Sequence, residues 1–177
     1  MPFGKVHFMK AHLEQRGLNL ALYHSLVVDE RVATFYLYSG DKLVGYQQYR
    51  PDQSSKKANH PKEARYFTYL PREVDGVWGY ELADLSKSKV LFLVEGVFKA
   101  ATLHRLGYNA VAVLGATPKR LSNQILLWGC SGYTVVALGD NDEAGRKFVR
   151  FVGLGCTTER DLDELTDEEV HKYANCY

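Results

Sequence analysis

The sequence predicts an α/β fold, in which a parallel sheet flanked by helices (residues 89–177) follows a smaller basic α+β subdomain (residues 1–88). Three observations predict it. Val90-Leu91-Phe92-Leu93-Val94 and Thr134-Val135-Val136-Ala137-Leu138 are continuous apolar runs rich in β-branched residues, the mark of strands buried on both faces. From Lys89 onward, strand patterns alternate with helix patterns, which implies parallel strands joined by right-handed helical crossovers. Upstream of Lys89, aromatic and β-branched stretches are joined by short turns, as in antiparallel hairpins.

Residues 3–16 carry apolar positions at mixed spacing and predict a weak helix. Arg31 to Tyr38 predicts a strand, Ser39-Gly40-Asp41-Lys42 a turn, and Leu43 to Arg50 its antiparallel partner. Pro51 to Pro61 is polar and basic, a loop, and Arg65 to Tyr69 is a further short strand. Residues 71–88 are mixed, with turn signals at Pro71 and Asp75-Gly76. The strand over 90–94 leads into a helix from Val97 to Leu106, which stops before Gly107. A second strand spans Ala110 to Gly115, and Thr117-Pro118 opens a helix that runs to Trp128, with Thr as N-cap and Pro at the first helical position. A strand over 133–138, a helix over 143–151 and a short strand within 152–156 follow. Thr166 and Glu169 form a capping-box start for the last helix.

With 46% hydrophobic and 24% charged residues among 177, the chain falls among ordinary soluble globular proteins. Its apolar runs are strand-length, which predicts no membrane partner, and the N-terminus shows no leader pattern. Cys130, Cys156 and Cys176 are far apart and form no C-x-x-C, so neither a zinc ribbon nor a disulfide framework is expected. Reduced thiols suit a cytoplasmic protein. The formal charge of +1 hides a polarity: seven basic residues against two acids from Lys42 to Arg72, and ten acids against four bases from Asp140 to Glu169.

Both apolar runs end in carboxylates beside glycine: Glu95-Gly96, and Gly139-Asp140-Asn141-Asp142. Open parallel sheets bind ligands outside the carboxyl ends of their strands, so these acids meet there. Clustered carboxylates repel one another unless a cation sits among them, and hard oxygen donors suit magnesium or manganese. Glu95, Asp140 and Asp142 are therefore the candidate catalytic and metal-ligating residues. Arg50, Lys56, Lys57, Lys62 and Arg65 are interleaved with Tyr46, Tyr49, Tyr66, Phe67 and Tyr69, a pattern in which cations track phosphates and rings stack bases. The six histidines show no metal spacing, and His104, on a predicted helix, reads as structural.

Glu95-Gly96 after one strand, Gly-Asp-x-Asp at 139–142 after another and Ala144-Gly145 at the following helix together resemble a Toprim domain, a Rossmann-like parallel sheet shared by bacterial-type primases, topoisomerases and some nucleases. Arg160-Asp161-Leu162-Asp163-Glu164-Leu165 resembles the third acidic element of primase Toprim domains, which adds Asp161 and Asp163 to the metal candidates, though acids ahead of a helix are also common without one. Val44-Gly45 through Arg50, Arg65-Tyr66 and Trp78-Gly79 are similar to the basic subdomain that precedes Toprim in bacterial and phage DnaG-type primases. The resemblance implies metal-dependent synthesis of short RNA primers during DNA replication. The implied partners are single-stranded DNA, nucleoside triphosphates and either a helicase or a separate zinc-module protein. The zinc-binding and helicase-interaction modules of those primases have no counterpart in the sequence, which suggests a minimal or split core of a kind plausible for a bacteriophage. Lys99 is a departure: it stands where the primase pattern commonly has a metal-site acid, and it is placed to pair with a carboxylate or to contact a phosphate. A Toprim nuclease and a catalytically weakened, partner-dependent DNA-binding subunit are the rival readings. A dinucleotide-binding fold is excluded, because no G-x-G-x-x-G follows the first parallel strand.

Overall fold

A computed structural model describes residues 3–53, 63–114 and 118–177. The helices are α1 (Phe3–Gln15), α2 (Val97–Arg105), α3 (Pro118–Cys130), α4 (Glu143–Val152) and α5 (Asp167–Ala174). The strands are β1 (Leu26–Val28), β2 (Ala33–Ser39), β3 (Lys42–Tyr49), β4 (Tyr66–Tyr69), β5 (Val77–Trp78), β6 (Val90–Val94), β7 (Ala110–Val113), β8 (Thr134–Gly139) and β9 (Gly155–Thr157). The expected elements stand within a few residues of their sequence-read positions. Strands β1 and β5 and the short 3-10 turns at Leu20–Leu22, Tyr80–Leu82 and Leu162–Glu164 are additions. Lys56, Lys57, Lys62 and the cap expected at Thr117 lie outside the described residues.

One mixed sheet runs in the order β4-β3-β2-β5-β7-β6-β8-β9, with β1 beside the start of β2. Strands β7, β6, β8 and β9 are parallel, and the upstream strands are antiparallel. The two parts are joined by β5, which pairs antiparallel with both β2 and β7. The sheet therefore continues across the boundary at residues 88 and 89.

Alternation along the parallel strands sends residues to two cores. Phe92, Val94, Ala110, Ala112, Val136 and Leu138 face one side, where they meet α2 through Val97, Phe98, Ala101 and Leu103, and α5 through Val170 and Ala174. Leu91, Leu93, Val111, Val113 and Ala137 face the other, under Leu121 and Trp128 of α3 and Phe148 of α4. Both faces are covered, which is why these strands read as unbroken apolar runs. In β2, buried Ala33, Phe35 and Leu37 alternate with Thr34, Tyr36 and Tyr38, so one face joins the first core, beside Met9 and Leu13 of α1.

A polar knot locks the junction between the two parts. His104 Nε2 lies 2.8 Å from the Ala110 carbonyl oxygen, which can only accept, so Nε2 carries the proton. His104 Nδ1, 3.0 Å from the Tyr23 hydroxyl, then accepts. Gly79 (φ +91°) turns the chain beside this ring, where a Cβ would meet His104 Cε1 at 2.6 Å. His104 is structural, as its helical position suggested. Burial holds it neutral, with its pKa lowered to about 4. Its folded pKa lies below the unfolded 6.5, so its contribution is fully present above pH 6.5 and is lost as pH falls toward 4, a loss on the order of 3 kcal/mol. Chemical denaturation between pH 7 and 4.5 should show this decline, and imidazole NMR should show a His104 resonance that stays neutral through pH 5.5. A His104 signal titrating near 6.5 would contradict this account.

Candidate active-site cleft

The parallel pairing of β6 and β8 sets Val94 beside Leu138. The next residues along each strand bring Glu95 and the Gly139-Asp140 corner together at the carboxyl end of the sheet. The corner is tight. Gly139 and Gly145 pack backbone to backbone, and a Cβ on Gly145 would lie 2.1 Å from the Asp140 carbonyl oxygen. Asp142 is the N-cap of α4, its Oδ1 accepting from the Gly145 N–H at 2.7 Å. Thr158 ties the following loop to the same corner: its N–H donates to Gly139 O at 3.0 Å and its hydroxyl to Arg160 O at 2.7 Å. Asp161 is thereby held near Asp140.

Lys99, in the first turn of α2, is only 8% exposed. Its ammonium is ion-paired to Asp140 Oδ1 and lies 3.3 Å from Asp161 Oδ1. Burial alone would lower its pKa, but the hydrogen bond and charge of Asp140, with the charge of Asp161, raise it, so Lys99 stays protonated. Of the two contacts expected of Lys99, the structure shows the pairing with a carboxylate. Glu95 is exposed and has no ion pair among the described residues; partial desolvation and then the neighbouring Asp140 push its carboxyl pKa up.

The second cation of the cleft is Arg16, just beyond α1. Its Nη2 is 2.5 Å from Asp163 Oδ2, and its Nη1 donates to the hydroxyls of Tyr49 and Tyr66, each at 3.4 Å. Its guanidinium carbon lies 3.6 Å from the centroid of the Phe98 ring, a cation–π contact. Arg16, Gln47 and Tyr66 thus face Glu95, Lys99, Asp140, Asp161 and Asp163 across a cleft of about 280 Å³.

Of the sequence-read acids, Glu95, Asp140, Asp161 and Asp163 line this cleft and Asp142 stands beside it as a cap. Arg50 and Arg65 are elsewhere. Tyr49 and Tyr66 turn to the cleft side, so their neighbours Arg50 and Arg65 belong to the opposite face of the β3–β4 pair. On that face Tyr36, Tyr46 and Tyr69 stand in cross-strand register, and Phe67 lies 6.2 Å from Tyr46. Arg50 Nη2 donates to Gln48 Oε1 at 2.6 Å, and its buried Nη1 has no partner among the described residues. Arg16 and Gln47 were missed by sequence reasoning. Arg16-Gly17 reads only as a helix end, and no local signal announces a contact 147 residues away.

The acids supply an all-oxygen donor set suited to a hard cation. Nevertheless, among the described residues no three Asp, Glu, His or Cys side chains gather as ligands of one ion. Asp140 and Asp161 are already bound to Lys99, Asp163 to Arg16, and Asp142 to the start of α4. Packed around Lys99, the cleft does not fit a divalent ion.

Fold and cleft together define a mixed α/β protein with a charged cleft at the carboxyl ends of its parallel strands. Among solved structures this is the fold of primase catalytic cores. The Escherichia coli primase catalytic core superposes with a TM-score of 0.61 at 18% identity, over 94% of this chain and 59% of that one. The primase fragment of the bacteriophage T7 primase-helicase gives 0.56 at 16% identity, over 85% and 64%. A DnaG primase catalytic domain bound to single-stranded DNA gives 0.58 at 18% identity, over 94% and 57%. The chain thus spans less than two thirds of each. No protein-family model and no curated protein sequence matches it, so the likeness is one of fold. No helix among the described residues is long and apolar enough to cross a membrane.

The corner geometry is testable. Gly145→Ala forces the Asp140 backbone aside and should cost about 1–3 kcal/mol of unfolding free energy. Urea denaturation measures it, and a Gly145→Ala protein as stable as the parent would refute the close packing.

Proposed function

We propose that this chain is a primase-type enzyme of DNA replication that joins ribonucleotides into short RNA primers on single-stranded DNA. The observation that carries this reading is the meeting of four carboxylates, Glu95, Asp140, Asp161 and Asp163, with Lys99 and Arg16 in one cleft of a primase-core fold. In this reading residues 89–177 are a Toprim domain and residues 1–88 the nucleic-acid-holding half. Glu95, whose pKa is raised, takes the proton of the attacking hydroxyl. Arg16 and Lys99 offer positive charge to a triphosphate. Arg50 and Arg65, with Lys56, Lys57 and Lys62 in the same stretch of chain, hold the phosphates of the strand, and Tyr46, Phe67 and Tyr69 stack its bases. A strand engaging both the cleft and these arginines wraps around β4, the edge of the sheet. Nucleotidyl transfer of this kind calls for Mg2+ or Mn2+ at Glu95, Asp140 and Asp142, backed by Asp161 and Asp163, and Lys99 stands against such binding. Lys99 therefore favours a second reading: a cytoplasmic, primase-derived subunit that binds DNA and depends on a helicase or zinc-module partner for turnover.

A primer-synthesis assay with single-stranded DNA, labelled ribonucleotides and Mg2+ or Mn2+ separates the two. The primary reading expects short RNA products that fall about 100-fold or more in Glu95→Gln, the scale of a lost acid–base group. DNA bound without product supports the second reading, and DNA degraded without added nucleotides points to a nuclease.

DNA affinity supplies a separate check. Arg50→Ala and Arg65→Ala should each weaken single-strand binding and flatten the log-affinity against log-salt slope by about 0.7. Unchanged slopes in both would remove these arginines from the DNA path.

A further inference from the structure

We infer that Lys99 is the resident counter-ion of the cleft: tethered between Asp140 and Asp161, its ammonium holds the place a divalent cation would need, and it keeps the cleft selective against such ions. This rests on the cleft being the functional centre proposed above.

Three features of the geometry lead there. First, Lys99 contacts two carboxylates from different parts of the chain, one at the end of β8 and one beyond β9. Joining ligands from separate elements is what a metal ion does in a site of this kind. Second, Lys99 is only 8% exposed, so its ammonium sits in a largely desolvated place and has Asp140 and Asp161 as its counter-charges there. Its tether makes the competition intramolecular, and short tethers give effective concentrations in the millimolar range (~mM). Third, the other cation is also committed. Arg16 is held by Asp163, two tyrosine hydroxyls and the Phe98 ring, so it cannot take over the neutralisation of Asp140.

Removing the charge of Lys99 then leaves Asp140 and Asp161 facing each other beside Glu95 with no cation between them. Their mutual repulsion disfavours that state, and a divalent ion relieves it. The resting protein is thus expected to bind divalent ions weakly at this cleft, and its shape to be independent of them.

The test uses the full chain and Mn2+ alone, followed by electron paramagnetic resonance and isothermal titration calorimetry, with paramagnetic broadening of backbone amides to locate the ion. Lys99→Gln should bind one Mn2+ at least about tenfold more tightly than the parent, a difference of about 1.4 kcal/mol. Lys99→Arg, which keeps the charge, should not gain, and Lys99→Gln combined with Asp140→Asn should lose the gain. In the parent protein, Mn2+ at a concentration that half-saturates Lys99→Gln should leave the amides of Glu95, Gly96 and Asp140 largely unbroadened, an arm read on the parent itself. Broadening there in the parent, or a folded Lys99→Gln protein that gains no affinity, overturns the inference. Mn2+ binding is read without primer synthesis, so failure of the inference is distinguishable from a lack of turnover, and its success weighs for the partner-dependent reading over the metal-dependent one.

Discussion

The parallel register between β6 and β8 is the constraint on which the cleft depends. Because Val94 lies beside Leu138, the residue after each strand must emerge at the same edge of the sheet. Glu95 and Asp140 are then neighbours whatever the loops do. Each next element starts from that edge: α2 carries Lys99 forward one turn, and α4 begins at Asp142, close enough to β8 that only glycine fits at position 145. Slipping β8 by one residue would send Leu138 to the opposite core and move Asp140 away from Lys99. The apolar alternation between the two cores therefore fixes the position of the charges.

The antiparallel half completes the cleft through a small joint. Two residues, Val77 and Trp78, pair with Val113 and Ala112 of β7, and Val77 also pairs with Tyr38 of β2, which makes one sheet of two architectures. Trp78 is fully buried among Tyr23, Phe35 and His104, so the joint is also the centre of an aromatic cluster. The same core takes in Met9 and Leu13 of α1, and Arg16 just beyond that helix meets Asp163. Cleft and joint share a core, since Phe98 touches Phe35 and Tyr49 on one side while its ring lies under Arg16.

Much of this was legible in the sequence where the signal is local or periodic. The buried runs, the hairpin at Gly40, the Thr166–Glu169 capping box and the nearness of Glu95 to Asp140 follow from patterns a few residues long. What escaped depends on tertiary choice. A two-residue strand such as β5 is too short for any periodicity. The face to which Arg50 and Arg65 belong is decided by the parity of buried Tyr49, and an interleaving of arginines with tyrosines reads the same for either face. Asp142 was read only as a metal ligand; its role as the cap of α4, accepting from the Gly145 N–H, emerged from the structure. Lys99 stood out as a cation one turn from Glu95; its burial depended on α2 packing almost wholly inside the first core.

That burial shapes the electrostatics of the whole cleft. A buried ammonium is tolerated only when its partners restore what it loses in leaving water, and Asp140 and Asp161 together do so. The same is true in reverse: two carboxylates brought to one sheet edge need a cation there, and the fold supplies it from its own chain. An acid in place of Lys99 would leave both aspartates uncompensated, and the sheet edge would depend on an external ion to hold its loops together. With lysine there, the loop after β9 is fastened to the end of β8 by a side chain, and the fastening persists as long as no stronger anion draws the ammonium away. A polyphosphate entering the cleft is such an anion, so the contact that fastens these loops is also the one a phosphorylated ligand would have to break.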